Sequence, residues 1–183
     1  KKQTDYNLRV LNRLNDLNEV MADCEQTVNH LSVVQHPGIF RVDYRHNDEL
    51  LSGGEREERL ALWASFAPFS FVSLKFPLRS IQNNKQDYYC GYGILEEDAH
   101  YCGVCTDELV ECFPAAPAIH TILKVVGEDS VPIQLLTPLL DYAREKRLAP
   151  TADVFSRMVV TIKRKEPDYE RFYEVWLPVR PMA

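Results

Sequence analysis

Positive charge is the first thing this chain has too little of. Its 21 Lys and Arg stand against 27 Asp and Glu, a formal charge of -6, and no basic stripe runs over more than a few residues. A duplex-binding surface needs clustered cations to release counterions from phosphate. The chain alone is therefore not expected to bind DNA. Its densest basic run, Lys163-Arg164-Lys165, reads as the solvated end of a strand. No apolar run approaches the roughly 20 residues of a membrane-spanning helix, and no signal peptide is visible. The chain opens on Lys1 rather than Met, so more sequence is expected upstream. Cysteine is scarce and odd in number: Cys24, Cys90, Cys102, Cys105 and Cys112. An odd set argues against a disulfide framework and for a reducing compartment, hence the cytoplasm.

A second metal-ligand pair is also missing. Cys102-Gly103-Val104-Cys105 has knuckle spacing, and His100 and Cys112 are near enough in sequence to complete four ligands. Structural zinc sites usually bring two such pairs. The expectation is free, half-buried thiols with no metal and no cofactor; zinc or redox work is the alternative.

Apolar patterning, by contrast, is plentiful. A hydrophobic content of 45% is ample for a core and excludes wholesale disorder. Residues 1–31 contain neither Gly nor Pro, and Val10, Leu14, Leu17, Met21, Cys24, Val28 and Leu31 follow at spacings of four and three. Such a narrow heptad seam, with polar positions around it, predicts a dimerisation coiled coil over 1–31. A helix docked on its own body is the alternative. Asn residues beside the seam lower helix propensity, so this helix needs a partner surface.

After His36-Pro37-Gly38 the period changes. Strands are predicted over 39–44, 71–76 and 88–95, with a helix over 55–66 whose Trp63 and Phe66 belong to the core. Residues 96–113 read as a polar connection without period. A strand over 118–126, a helix over 131–148 and strands over 154–162 and 169–179 follow. Pro138 either kinks that helix or marks its true first turn. Strand-helix-strand-strand thus occurs twice within 32–183. Two such units joined edge to edge give an α+β sheet with both helices on one face and a groove on the other.

The last strand carries the sharpest functional signal. Its two-residue period sets Phe172, Glu174 and Trp176 on one face and Tyr173, Val175 and Leu177 on the other. The second set is a core face. A carboxylate between two rings suits an organic cation, although an edge strand with one solvated Glu gives the same letters. Tyr88 and Tyr92 share a face of their strand, and His120 sits on the strand after the connection. The predicted ligand-facing set is therefore Glu174, Trp176, Phe172, Tyr92, Tyr88 and His120, with no catalytic residue. A small hydrolase on this fold is the rival, with Ser156, His120 and Cys90 as its conceivable actors. It would need an activated nucleophile, and no local signature supplies one.

Three segments carry a family resemblance: Tyr89-Cys90-Gly91-Tyr92-Gly93-Ile94-Leu95-Glu96-Glu97, Phe113-Pro114-Ala115-Ala116-Pro117-Ala118-Ile119-His120-Thr121, and Tyr173-Glu174-Val175-Trp176-Leu177-Pro178-Val179. With the heptad helix before them, they resemble the dimerisation helix plus GyrI-like effector-binding domain of a MerR-type bacterial transcription regulator. That resemblance implies an antiparallel homodimer through the first helix and a groove for a small lipophilic molecule, cations included. It also implies promoter DNA bound only through a winged-helix domain that would precede this chain. One departure is plain. Many relatives place a ligand-facing Glu after an aromatic residue on the strand following the second helix, and here Ser156 stands there. The central charge would then fall to Glu174, and catalysis, which some relatives support with that Glu, is put in doubt.

Overall fold

The two strand-helix-strand-strand runs become the two halves of one antiparallel sheet. We describe a computed structural model of the chain over residues 2–127, 130–165 and 168–182. In chain order it contains α1 (Lys2–Asp23), β1 (Ser32–His36), β2 (Ile39–His46), β3 (Glu49–Leu50), α2 (Gly54–Ala64), β4 (Ser70–Phe76), α3 (Leu78–Gln82) and β5 (Tyr89–Leu95). Next come α4 (Glu96–Cys102), β6 (Glu111–Phe113), β7 (Ala116–Val126), α5 (Thr137–Glu145), β8 (Leu148–Pro150), β9 (Val154–Lys165) and β10 (Asp168–Pro181). The strands run in the order β1-β7-β10-β9-β4-β5-β2-β3, with β6 added on β2 and β8 on β10. The halves meet where Lys75 and Phe76 of β4 pair with Phe155 and Val154 of β9.

Strand parity sorts the side chains onto two faces. Tyr173, Val175 and Leu177 of β10 join Leu123 and Val125 of β7 beneath Ile133, Leu136 and Leu139, the last on α5. Burying each such side chain is worth roughly 1.5–3 kcal/mol, which is what holds α5 on that side. Trp63 of α2 is buried against Val42 and Ile94 on the same side, a core residue as expected. The opposite face carries Ile39, Leu95, Phe113, Phe155 and Trp176.

Several predicted boundaries need correction. The first helix stops at Asp23, not at residue 31. Thr27 Oγ1 donates to the Asp23 carbonyl, Asn29 adopts a left-handed φ of 61°, and Val28 bridges to Ile122 of β7. Cys24, Val28 and Leu31 therefore pack on the body and are not part of a helical seam. Residues 96–113 hold α4 and β6, each too short to show a period. Three consecutive acids open α4, where they complement the helix dipole, and Gly103 closes it at φ 62°. The helix predicted over 131–148 is a 3-10 turn at Ile133–Leu136 followed by α5. Pro138 falls in the first turn of α5, where its missing N–H costs nothing. Strand β1, absent from the sequence reading, is a five-residue edge paired to β7.

Gly91 is required by a close approach. A Cβ there would lie 2.3 Å from the Val42 carbonyl oxygen, beside the irregularity between Asp43 and Arg45 of β2. Backbone, unlike a side-chain tip, cannot swing aside. Gly91→Ala is expected to cost about 1–3 kcal/mol, read as a melting temperature several degrees lower. An unchanged melting curve would contradict this register.

Candidate functional site

The register of β10 builds the site. Glu174 lies opposite Arg157 of β9, and Trp176 lies opposite Phe155. On the other side Trp176 faces His120 of β7. Glu174, Trp176, Arg157, Phe155 and His120 therefore share the face turned away from α5. The Arg157 side chain donates from Nε to Glu174 Oε2 at 2.7 Å and from Nη2 to the same oxygen. Glu174 Oε1 lies 3.4 Å from His120 Nε2. At that distance His120 Nε2 makes no aligned hydrogen bond among the described residues, although the imidazole stands beside the carboxylate.

Glu174 is only 8% exposed. Burial pushes its carboxyl upward, but nearby His120 and the Arg157 charge outweigh this and hold it below its ordinary value. The carboxylate is thus ionised and already neutralised by its neighbour. Trp176 is buried, stacked on Phe155 at 5.6 Å between centroids and tilted against His120 at 5.7 Å. Arg157 also stands over the Phe71 ring at 5.8 Å, a geometry that favours a guanidinium.

Helix α1 covers this face. Its inward side is Arg13, Leu17 and Val20, and Cys24, just past its end, packs on Ile122 and Phe172. Arg9 ties the helix to α4: its Nη1 donates to Asp98 Oδ1 at 2.7 Å and to the Glu97 carbonyl at 3.0 Å. Between α1 and the sheet lies a cleft of ≈ 330 Å³ whose walls include Arg13, Leu95, His120, Arg157, Glu174 and Trp176. A second cleft of ≈ 360 Å³ opens on the other side of His120 and Glu174, toward Val20, Asp23 and His30.

The six residues picked from sequence do not all converge. Glu174, Trp176 and His120 come together. Phe172 shares their face but is 0% exposed, sealed under the end of α1. Tyr88 and Tyr92 lie across the sheet, a correction to the expected grouping. On β5 it is Leu95 that packs with Trp176, and Tyr92, three residues earlier, points the opposite way. Tyr88 packs against Phe76 in the core beneath α5, and Tyr92 beside Val42 and Trp63.

Arg157 and Arg13 escaped the sequence reading. The parity of β9 could have found the first, because Phe155 on the cleft face puts Arg157 there too. Ser156 points to the other side, where Oγ accepts from the Leu74 N–H at 3.2 Å. The residue facing the cleft in place of the expected carboxylate is thus an arginine. Nothing in the sequence singles out Arg13, one polar position among many on α1. In the 96–113 stretch, burial first and the Asp98 charge second push the Cys102 thiol up to about 11. Cys105 is exposed. Among the described residues no three His, Cys, Asp or Glu side chains converge as a metal-holding group. Nor is any helix among the described residues long and apolar enough to cross a membrane.

No family model matches the chain, and no curated protein matches it. Solved structures do. The C-terminal domain of EcmrR superposes with a TM-score of 0.53 at 11% identity, covering 84% of this chain and 98% of that one. A hydrolase from Listeria innocua reaches 0.49 at 8% identity, covering 84% and 93%. SAV2435, solved bound to tetraphenylphosphonium, reaches 0.41 at 10% identity over 82% and 94%. The last two similarities are too loose to bear on function. The first carries the architecture: this chain has an α+β fold of the GyrI-like kind, with a helix preceding the tandem sheet.

Proposed function

We propose that this chain is the ligand-sensing and dimerisation portion of a bacterial transcription regulator. A small lipophilic molecule enters the cleft under α1, and DNA is engaged by a separate winged-helix domain. The reading rests chiefly on one observation: the cleft has Trp176 and the Glu174–Arg157 pair as its floor and α1 as its roof. A molecule held there touches sheet and helix at once. It therefore favours one placement of α1 over others, which is the differential affinity that a switch requires. On its outer side α1 exposes Leu11, Leu14 and Met21, the surface through which we propose a second copy pairs.

Binding without turnover fits the cleft better than hydrolysis. His120 faces Glu174, not a hydroxyl or thiol. Cys90 lies in the core beneath α5, with its Sγ on Tyr44, and Ser156 faces that same side. The three conceivable hydrolytic residues are thus not assembled.

Naphthalene-based probes should raise the melting temperature. A ligand at one hundred times its Kd adds about 2.7 kcal/mol, roughly 5–10 °C for a chain of this size. Trp176→Phe keeps the core filled while shrinking the floor, and it should weaken every probe. No probe stabilising the chain at millimolar concentration, or hydrolysis of an aryl ester above background, would overturn the proposal.

A further inference from the structure

We infer that the cleft between α1 and the sheet selects an aromatic monocarboxylate, with the carboxylate on Arg13 and the ring against Trp176. This rests on the ligand-sensing reading above and assigns its ligand class. Arg13 is the observation that carries it. The side chain is 4% exposed, lines the cleft, and has no hydrogen-bond partner for Nε or Nη2 among the described residues. Its ion-pair partner, Asp98 Oδ2, stands 3.8 Å from Nε, which balances charge but makes no hydrogen bond, while Asp98 Oδ1 is held by Arg9. Buried charged donors left unmade are costly. A planar carboxylate is the acceptor that matches a guanidinium fork.

A cation finds no such welcome. Glu174, the obvious counter-charge, already takes two N–H groups from Arg157. An ammonium at Glu174 would sit against Arg157 and near Arg13, whose pKa is lowered first by burial and then by the Arg157 charge. His120 Nε2 is a further buried nitrogen without a hydrogen-bond partner, able to donate once its ring is protonated or in the right tautomer. Trp176, Leu95 and Val34 supply an apolar wall. At the mouth stand the exposed carboxylates of Asp16 and Glu97. Solvent screens them from a single buried charge, yet they oppose a second negative group. A volume of ≈ 330 Å³ is near the lower end for ligand sites and suits one or two rings.

The test titrates the full chain calorimetrically with 2-naphthoate, 2-naphthamide and 2-naphthylmethylammonium. Naphthoate should bind about ten- to a hundredfold tighter than the amide, and the ammonium weakest of the three. Arg13→Gln should erase the preference for naphthoate over the amide by costing naphthoate far more affinity than the amide; Arg13→Lys should keep part of it. Arg157 is not the residue to change, since its loss strands Glu174. Circular dichroism checks that Arg13→Gln is folded; if it is not, Arg13→Lys and the charge series on the unaltered chain decide. Ammonium binding tighter than naphthoate overturns the carboxylate assignment while the ligand-sensing reading stands. An unchanged preference in folded Arg13→Gln overturns the role of Arg13. Failure of all three probes overturns both.

Discussion

Glu174→Gln should lower the melting temperature of this chain by roughly 6–20 °C, the largest single-site effect expected at the cleft. Glu174 and Arg157 are 8% and 6% exposed. Removing one partner of a buried pair leaves the other charge uncompensated, at about 3–5 kcal/mol. Each kcal/mol corresponds to roughly 2–4 °C in a domain of this length. Gln keeps the volume of Glu, so a packing defect does not explain the loss. Replacing the pair together, Glu174→Gln with Arg157→Met, should recover most of it, because matched apolar or neutral groups are tolerated where a lone ion is not. Thermal denaturation of the two singles and the double measures this coupling. A Glu174→Gln variant melting with the unaltered chain would mean that the pair is not formed.

The same pair predicts an acid limit. In the folded chain Glu174 titrates below its ordinary value, whereas in the unfolded chain it titrates near about 4.3. Its contribution is therefore complete above that unfolded value and lost as pH falls through the lower folded one. Asp87 works in the same direction, burial being outweighed by its bonds to His46 and Ser80. Acid sensitivity as such will not isolate Glu174. The difference between the unaltered chain and Glu174→Gln will, and it should shrink steadily below about pH 4.

Period and parity carried the sequence reading a long way. The faces of β10 follow from alternation alone, because a strand has no other way to separate Tyr173, Val175 and Leu177 from Glu174 and Trp176. The tandem order likewise fixes which face the helices occupy. What alternation cannot give is the relation between distant strands. Tyr92 and Trp176 each have a clear parity, but which parity of β5 matches which of β10 depends on the pairing through β4 and β9. A bulge between Phe172 and Tyr173 shifts that relation again along β9. Family pattern misled at Ser156 for the same reason. The cleft residue is one position later, and it reverses the charge. The Arg157–Glu174 pair was hidden because charge complementarity between strands leaves no trace in either strand alone.

Double substitution of Leu14 and Met21 by Glu should convert the proposed dimer to monomer, with little effect on the cleft. These two residues sit seven apart, nearly above one another on α1, and are 48% and 43% exposed. Leu11, at 58%, widens the stripe. The inward side of the same helix is already engaged, through Arg13 over the cleft, and Cys24 just past its end packs on Ile122 and Phe172. The heptad letters thus divide: Cys24, Val28 and Leu31 pack on the body, while Leu14 and Met21 stay exposed, free for the second copy proposed above. Pairing two such stripes would bury Leu14 and Met21 of each copy, and the double variant puts four carboxylates in their place. At several kcal/mol for charges forced into an apolar seam, the dimer should weaken at least about a thousandfold. Light scattering at micromolar concentration reads the mass directly. Neither Leu14 nor Met21 lines the cleft, so probe binding should persist in the monomer. An unaltered chain that is monomeric at high concentration would remove the dimer from the proposal. A double variant that stays dimeric would instead move the contact off α1.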